Sequence, residues 1–143
     1  ITFVLSFLIL NNYLFIALDF PQFLLKINYL IFLGAILMFY FKSFFINPYL
    51  KIFFLFLIFI CLGTPISEWD PRSTWFFHAK RIFYDQSIFS VADNYASFSH
   101  NDYPTLAPAF ASSLAVLVGY WNEVMPKLSF SLMFFPPLIL VYL

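Results

Sequence analysis

A polar stretch from Ser67 to Pro104 separates two apolar parts of the chain and constrains the fold more than any other feature. Five of the seven acidic residues and both histidines lie in this stretch, together with three basic residues. The chain of 143 residues is 63% hydrophobic and only 10% charged, whereas a soluble domain carries about 25% charged residues. This composition favours an integral membrane protein with its chemistry in one long loop. The formal net charge of zero gives no indication of nucleic-acid binding.

The apolar runs predict an all-α integral membrane fold with about five transmembrane helices, because a spanning helix needs roughly 20 apolar residues. The predicted spans are 3–18, 27–46, 50–65, 104–121 and 128–143. Pro136 and Pro137 are expected to break the last span, and Cys61 is expected to pack in an apolar run. The chain begins without Met and ends inside an apolar run, so we expect a single membrane domain that is a fragment of a longer protein.

Small residues recur every four positions in the predicted fourth span, at Ala111, Ala115 and Gly119. Such a stripe lets helix backbones approach closely.

The long loop, residues 67–103, is expected to carry a helix from about Pro71 to Asp85 that lies flat on a membrane. Asp70 followed by Pro71 is a typical helix start, with an N-cap residue before Pro at the first helical position. At 100° per residue, one face is apolar and the opposite face is polar. The apolar face holds Trp75, Phe76, Ala79, Ile82 and Phe83. The polar face holds Thr74, His78, Arg81 and Asp85, and His78 is expected to face water. An aromatic and basic helix of this kind suits the membrane interface.

Asp70 has two interpretations that the sequence leaves open. As an N-cap it would stabilise the helix by about 1 kcal/mol, and as an exposed carboxylate it could serve as a general base. Spacing alone favours the cap.

The other candidate site residues are basic, aromatic or lie at the end of the long loop. Lys80 and Arg81 are either cations that extend to an interface or a grip for phosphate. His100, Asp102 and Tyr103 either cap the next helix or bind a hydroxyl-rich ligand. Trp69, Trp75 and Tyr95 could stack on a sugar ring, and an aromatic belt explains them as well.

Two sequence blocks together resemble a bacterial group within the GT-C membrane glycosyltransferases. They are W-D-P-R-S-T-W-F-F-H-A-K-R-I-F, which begins at Trp69, and H-N-D-Y-P-T-L-A-P, which begins at His100. Two positions depart from the pattern of that group: Asn101 stands where the group usually has Pro, and the first block reads H-A-K-R where P-K-A is commoner. The resemblance covers Trp69 to Pro108.

The resemblance implies a membrane glycosyltransferase that takes its sugar from a polyprenyl-phosphate carrier and transfers it to a glycan, lipid or protein acceptor on the exoplasmic side. It implies that Asp70 is the catalytic base or a substrate ligand, and that Asp102 is a second carboxylate of the site. Lys80 matches the position that could hold the lipid phosphate, with Arg81 beside it. Some branches bind a divalent metal, but no metal-ligand pattern is present here.

The positions of the lysines predict the orientation of the spans. Lys42, Lys51 and Lys127 flank the side of the predicted spans opposite the long loop, which marks that side as cytoplasmic. The long loop carries three basic residues of its own, so its placement outside a bacterial inner membrane also depends on the resemblance.

Two other classes of protein fit the sequence pattern: a transporter or flippase for lipid-linked sugars, and an O-antigen ligase or polymerase.

Overall fold

The computed structural model describes residues 2–32, 34, 48–88, 99–100 and 102–142. Six α-helices are present in this part of the chain: α1 (Thr2–Ala17), α2 (22–32), α3 (Pro48–Gly63), α4 (Phe76–Asp85), α5 (Leu106–Val118) and α6 (Leu128–Tyr142). A π-helical turn, Pro71–Trp75, leads into α4, and a 3₁₀ turn, Met125–Lys127, leads into α6.

The prediction of transmembrane helices is wrong for the described residues. None of their helices is long and apolar enough to cross a membrane. α1 and α3 have 16 residues each, α6 has 15 and α5 has 13. At 1.5 Å per residue these lengths give about 20–24 Å, whereas the hydrocarbon core of a bilayer is about 30 Å thick. The same finding overturns the predicted location as a multi-pass protein of a bacterial inner membrane with loop 67–103 outside.

α5 lies at the centre of the described helices and makes its most extensive contact with α4. One apolar cluster joins α1, α2, α4 and α5 and contains Ile16, Leu25, Ile82, Ile88, Ala109 and Val116. A second cluster joins α1, α2 and α5 and contains Leu8, Ile9, Tyr29, Phe110 and Leu114. Ala109 and Ala115 are completely buried, because the absence of a long side chain allows the neighbouring helices to approach α5.

The stripe of small residues predicted on this helix ends before Gly119. Ala111 and Ala115 are buried in the core. Gly119 instead ends α5 in the left-handed conformation, with φ of 93° and its N–H bonded to the carbonyl of Ala115. Glycine adopts this conformation without the steric cost that a Cβ would bring.

The helix predicted between Pro71 and Asp85 is present, but more than one of its faces is covered by the rest of the fold. Its apolar residues Phe76, Ala79 and Ile82 are buried, and so are three of the four residues of its polar face, including His78, which was expected to face water. Those three are Thr74, His78 and Arg81. The prediction of a flat interfacial helix is wrong because hydrophobic periodicity identifies one buried face and cannot reveal that a second face is also covered.

Polar side chains connect α1, α2 and α5 inside the bundle. The amide nitrogen of Asn28 donates to Asn12 at 2.7 Å, and the amide nitrogen of Asn11 donates to Asn28 at 2.8 Å. The hydroxyl of Tyr29 is bonded to the hydroxyl of Ser113, which itself donates to a backbone carbonyl. Burial raises the pKa of the Tyr29 phenol above its usual value, and the hydrogen bond to Ser113 opposes this only in part. These polar pairs fix which faces of the three helices meet.

Lys127 connects the end of α3 to the start of α6. Its ammonium donates to the carbonyl oxygens of Leu62 at 3.2 Å and Thr64 at 2.7 Å. These acceptors lie at the C-terminal end of α3, where carbonyls lack helical partners and a cation is favourable. The ammonium therefore stabilises the end of α3.

α6 itself continues through Pro136 and Pro137, so the break predicted there is wrong. Cys61 also differs from the expectation of purely apolar packing: it is half-buried, and its sulfur accepts a hydrogen bond from Ser131 at 2.9 Å.

Candidate functional site

Ring contacts bring the two sequence blocks of the long polar stretch together. Trp75, at the end of the π-helical turn, lies with its ring centroid 5.8 Å from that of Tyr103. Tyr103 in turn stacks on His100 at 4.8 Å, with an angle of 18° between the ring planes. His100 holds a left-handed backbone, with φ of 51°, and its carbonyl accepts the N–H of Tyr103. This tight turn places the imidazole against the phenol, so the three rings form one aromatic cluster across both blocks.

A buried hydrogen bond joins His78 on α4 to Ser99, the residue before the second block. Nε2 of His78 lies 2.8 Å from the hydroxyl of Ser99 and 2.7 Å from the Ser99 carbonyl oxygen. Ser99 is fully buried and His78 nearly so. In one tautomer the imidazole donates to the carbonyl, and in the other it accepts from the hydroxyl. In either case the contact anchors residues 99–100 on α4 and satisfies a buried polar ring.

The carboxylates and the lysine predicted for the site are on the outside of the fold. Asp70, Lys80 and Asp102 are all exposed. Asp70 has helical backbone angles and makes no capping hydrogen bond with its side chain, so the helix-cap hypothesis is wrong. At this helix start, Ser73 donates to the carbonyl of Trp69 at 2.7 Å. The carboxylate of Asp70 therefore does not cap the helix.

Arg81 differs from its neighbour Lys80. Its side chain is 8% exposed, and Nη2 donates to the carbonyl of Ile88 at 3.3 Å. Ile88 is within reach because the chain turns back at Gln86, whose φ of 58° ends α4. Within the pair, Lys80 is the cation that faces solvent, whereas Arg81 supports the turn after α4.

The aromatic candidates also differ in their exposure to solvent. Trp69 is 68% exposed, Tyr103 is 42% exposed, and Trp75 is half-buried beneath Tyr103. Asn101 and Tyr95 lie outside the described residues. Sequence reasoning missed the role of Ser99, and only the general need of a buried imidazole for a partner could have indicated that one exists.

The described residues contain no cluster of three or more His, Cys, Asp or Glu side chains that could hold a metal ion. Their polar chemistry at the candidate site consists of two exposed carboxylates, one exposed lysine and a stacked imidazole and phenol. Each group has its own chemistry: a carboxylate can accept a proton, a lysine can balance negative charge, and an exposed ring can stack on a ring-shaped ligand.

Comparison of the chain with known protein families, with curated proteins and with solved structures finds no match. The resemblance to glycosyltransferases therefore stays a prediction from the two blocks.

Proposed function

We propose that this chain carries part of the site of a glycosyltransferase that moves a sugar from a polyprenyl-phosphate carrier to an acceptor hydroxyl. The observation that supports this proposal is the contact of Trp75 with Tyr103 and of Tyr103 with His100. Because of it, Trp75 of the first block lies beside His100 and Tyr103 of the second, although a long stretch of sequence separates them. Asp70 and Lys80 come from the first block and Asp102 from the second.

The proposed reaction needs one base and one cation. Asp70 accepts the proton of the acceptor hydroxyl as its oxygen forms a bond to the anomeric carbon. The bond between that carbon and the phosphate oxygen breaks, and the electron pair leaves with the phosphate. Lys80 balances the charge that develops on the leaving phosphate. The exposed face of Tyr103 offers a stacking surface for the sugar, and Asp102 a carboxylate for its hydroxyls.

The proposal is tested by sugar transfer from a polyprenyl-phosphate donor in the intact protein. Asp70→Asn preserves size and removes the proton acceptor, so transfer is expected to fall by about 10²-fold or more. Asp102→Asn tests the second carboxylate in the same way. Asp85→Asn is the matched control, because Asp85 is an exposed acid at the far end of α4, and it should leave transfer unchanged.

Lys80→Ala tests the cation separately, and is expected to raise the KM for the donor because the phosphate loses its partner. Circular dichroism of each variant establishes that the helices are intact. Near-wild-type transfer by both Asp70→Asn and Asp102→Asn would contradict the proposed chemistry.

A further inference from the structure

The buried pair of His78 and Ser99 connects α4 to the segment that carries the stacked rings. Nε2 of His78 lies within hydrogen-bonding distance of both the hydroxyl and the carbonyl oxygen of Ser99. Ser99 is completely buried and His78 is 5% exposed, so water cannot replace these contacts. Because an unpaired polar group in such a place is costly, the pair holds Ser99 at a fixed point on α4.

His78 lies three residues after Trp75, where the π-helical turn continues into α4. Residues at this spacing lie on the same side of a helix. That side therefore contacts the second segment at two points, at Ser99 through His78 and at Tyr103 through Trp75. His100 lies between the two points in the sequence.

A tight turn at His100 links these two contacts. His100 has a left-handed backbone with φ of 51°, which a residue with a Cβ rarely adopts. Its carbonyl accepts the N–H of Tyr103 at 3.0 Å, and the two rings stack. Both side chains are exposed, so burial does not hold them in place. A strained conformation persists only where its surroundings enforce it, and the buried residue beside this one is Ser99.

We propose that His78 and Ser99 are positioning residues of the proposed glycosyltransferase site. Their hydrogen bond holds the turn at His100 so that Tyr103 lies against Trp75 and presents its exposed face to the sugar. The base Asp70 comes from the first block, so loss of the pair should weaken sugar binding more than it slows the chemical step. This inference rests on the proposed function and adds to it the residues that fix the geometry of its sugar-stacking ring.

The geometry is tested by fluorine NMR of the protein with fluorotryptophan at its three tryptophans. The Trp75 signal depends on the Tyr103 ring beside it, and Tyr103→Leu shows where this signal lies once that ring is absent. His78→Leu should move the Trp75 signal most of the way to that position, because both contacts with Ser99 are lost. Ser99→Ala keeps the carbonyl acceptor, so it should move the signal in the same direction by less.

The function is tested by sugar transfer with the same variants in the intact protein. His78→Leu should raise the KM for the donor about fivefold, as expected for a lost aromatic contact, and change kcat less than about twofold. In the His78→Leu background, Tyr103→Leu should add little to the KM, because the ring is already displaced. His78→Gln should restore both the KM and the Trp75 signal, since its amide supplies a donor and an acceptor at about the reach of Nε2.

Two controls separate positioning from a general loss of stability. Ser113→Ala breaks another buried hydrogen bond, the one to Tyr29. It should lower the free energy of unfolding and leave the KM and the Trp75 signal unchanged. The signal of Trp121, whose ring lies 5.9 Å from that of Phe83 on α4, reports whether α4 keeps its place in each variant.

The inference is overturned if His78→Leu keeps the wild-type Trp75 signal, or if it raises the KM no more than Ser113→Ala does. Where the Trp121 signal shows that His78→Leu has lost the fold, Ser99→Ala decides by the same two criteria. The two proposals fail separately. Absence of transfer by the wild-type protein would refute the proposed function, whereas an unmoved Trp75 signal would refute only the positioning role.

Discussion

Ile82→Ala tests whether α4 is a core helix and not a helix on the surface. Ile82 is 1% exposed and belongs to the apolar cluster that joins α1, α2, α4 and α5. The substitution removes three buried carbon atoms, which is about 2.4 kcal/mol of transfer free energy at about 0.8 kcal/mol each. The residual cavity adds to this, so the free energy of unfolding should fall by about 3 kcal/mol. For a chain of this length that corresponds to a decrease in Tm of roughly 10 °C.

The same chemical change at an exposed position is the control. Ile52 on α3 is 65% exposed, and Ile52→Ala should change the free energy of unfolding by less than about 0.5 kcal/mol. Both variants are unfolded thermally and followed by far-ultraviolet circular dichroism under identical conditions. Equal, small effects of the two substitutions would show that Ile82 is not packed as described.

Two further predictions concern buried polar groups. Burial raises the pKa of Tyr29 in the folded state, so its contribution to stability is fully present below the unfolded pKa of about 10 and is lost as pH rises above that value. Tyr29→Phe should therefore make the alkaline loss of stability smaller. An unchanged pH profile of the unfolding free energy would contradict this. His78→Leu and Ser99→Ala break the same hydrogen-bonded pair. In a double-mutant cycle, the double variant should therefore lose less unfolding free energy than the sum of the two single variants. Additive losses would show that the pair contributes nothing to stability.

Hydrophobicity and turn chemistry predicted much of the helical content. The predicted apolar segments 3–18, 50–65 and 128–143 lie close to α1, α3 and α6, and the Asp70–Pro71 start signal marks the turn before α4. The membrane architecture was wrong because these three segments have only 16 residues each, fewer than the roughly 20 that a spanning helix needs. The helix in the predicted span 104–121 is shorter still. α5 ends at Val118, where Gly119 adopts a left-handed conformation. α3 ends at Gly63, where Lys127 binds the carbonyls of Leu62 and Thr64.

The environment of α4 could not be predicted from its own sequence. Periodicity placed His78 and Arg81 on a polar face, and water was the expected partner of that face. In the structure, His78 is bonded to Ser99 and Arg81 to the carbonyl of Ile88. The first partner lies far along the chain and the second depends on the turn at Gln86. Both are consequences of tertiary structure that propensity and spacing do not contain.

The geometry of the candidate site could not be predicted from the two blocks. The two blocks identified Trp75, His100 and Tyr103, but no pattern within either block predicts that their rings meet. At Asp70 a pattern predicted a contact that the structure lacks: spacing favoured a helix cap, and the side chain makes no capping hydrogen bond.

A double-mutant cycle between Trp75 and Tyr103 in the sugar-transfer reaction tests most directly whether the two blocks form one site. The rings contact each other at 5.8 Å, and such aromatic pairs contribute about 0.5–1.5 kcal/mol. Trp75→Leu and Tyr103→Leu should each lower kcat/KM, and the double variant should lose less than the sum of the two by about 1 kcal/mol. Fully additive losses, or transfer that neither substitution affects, would contradict a site built from both blocks.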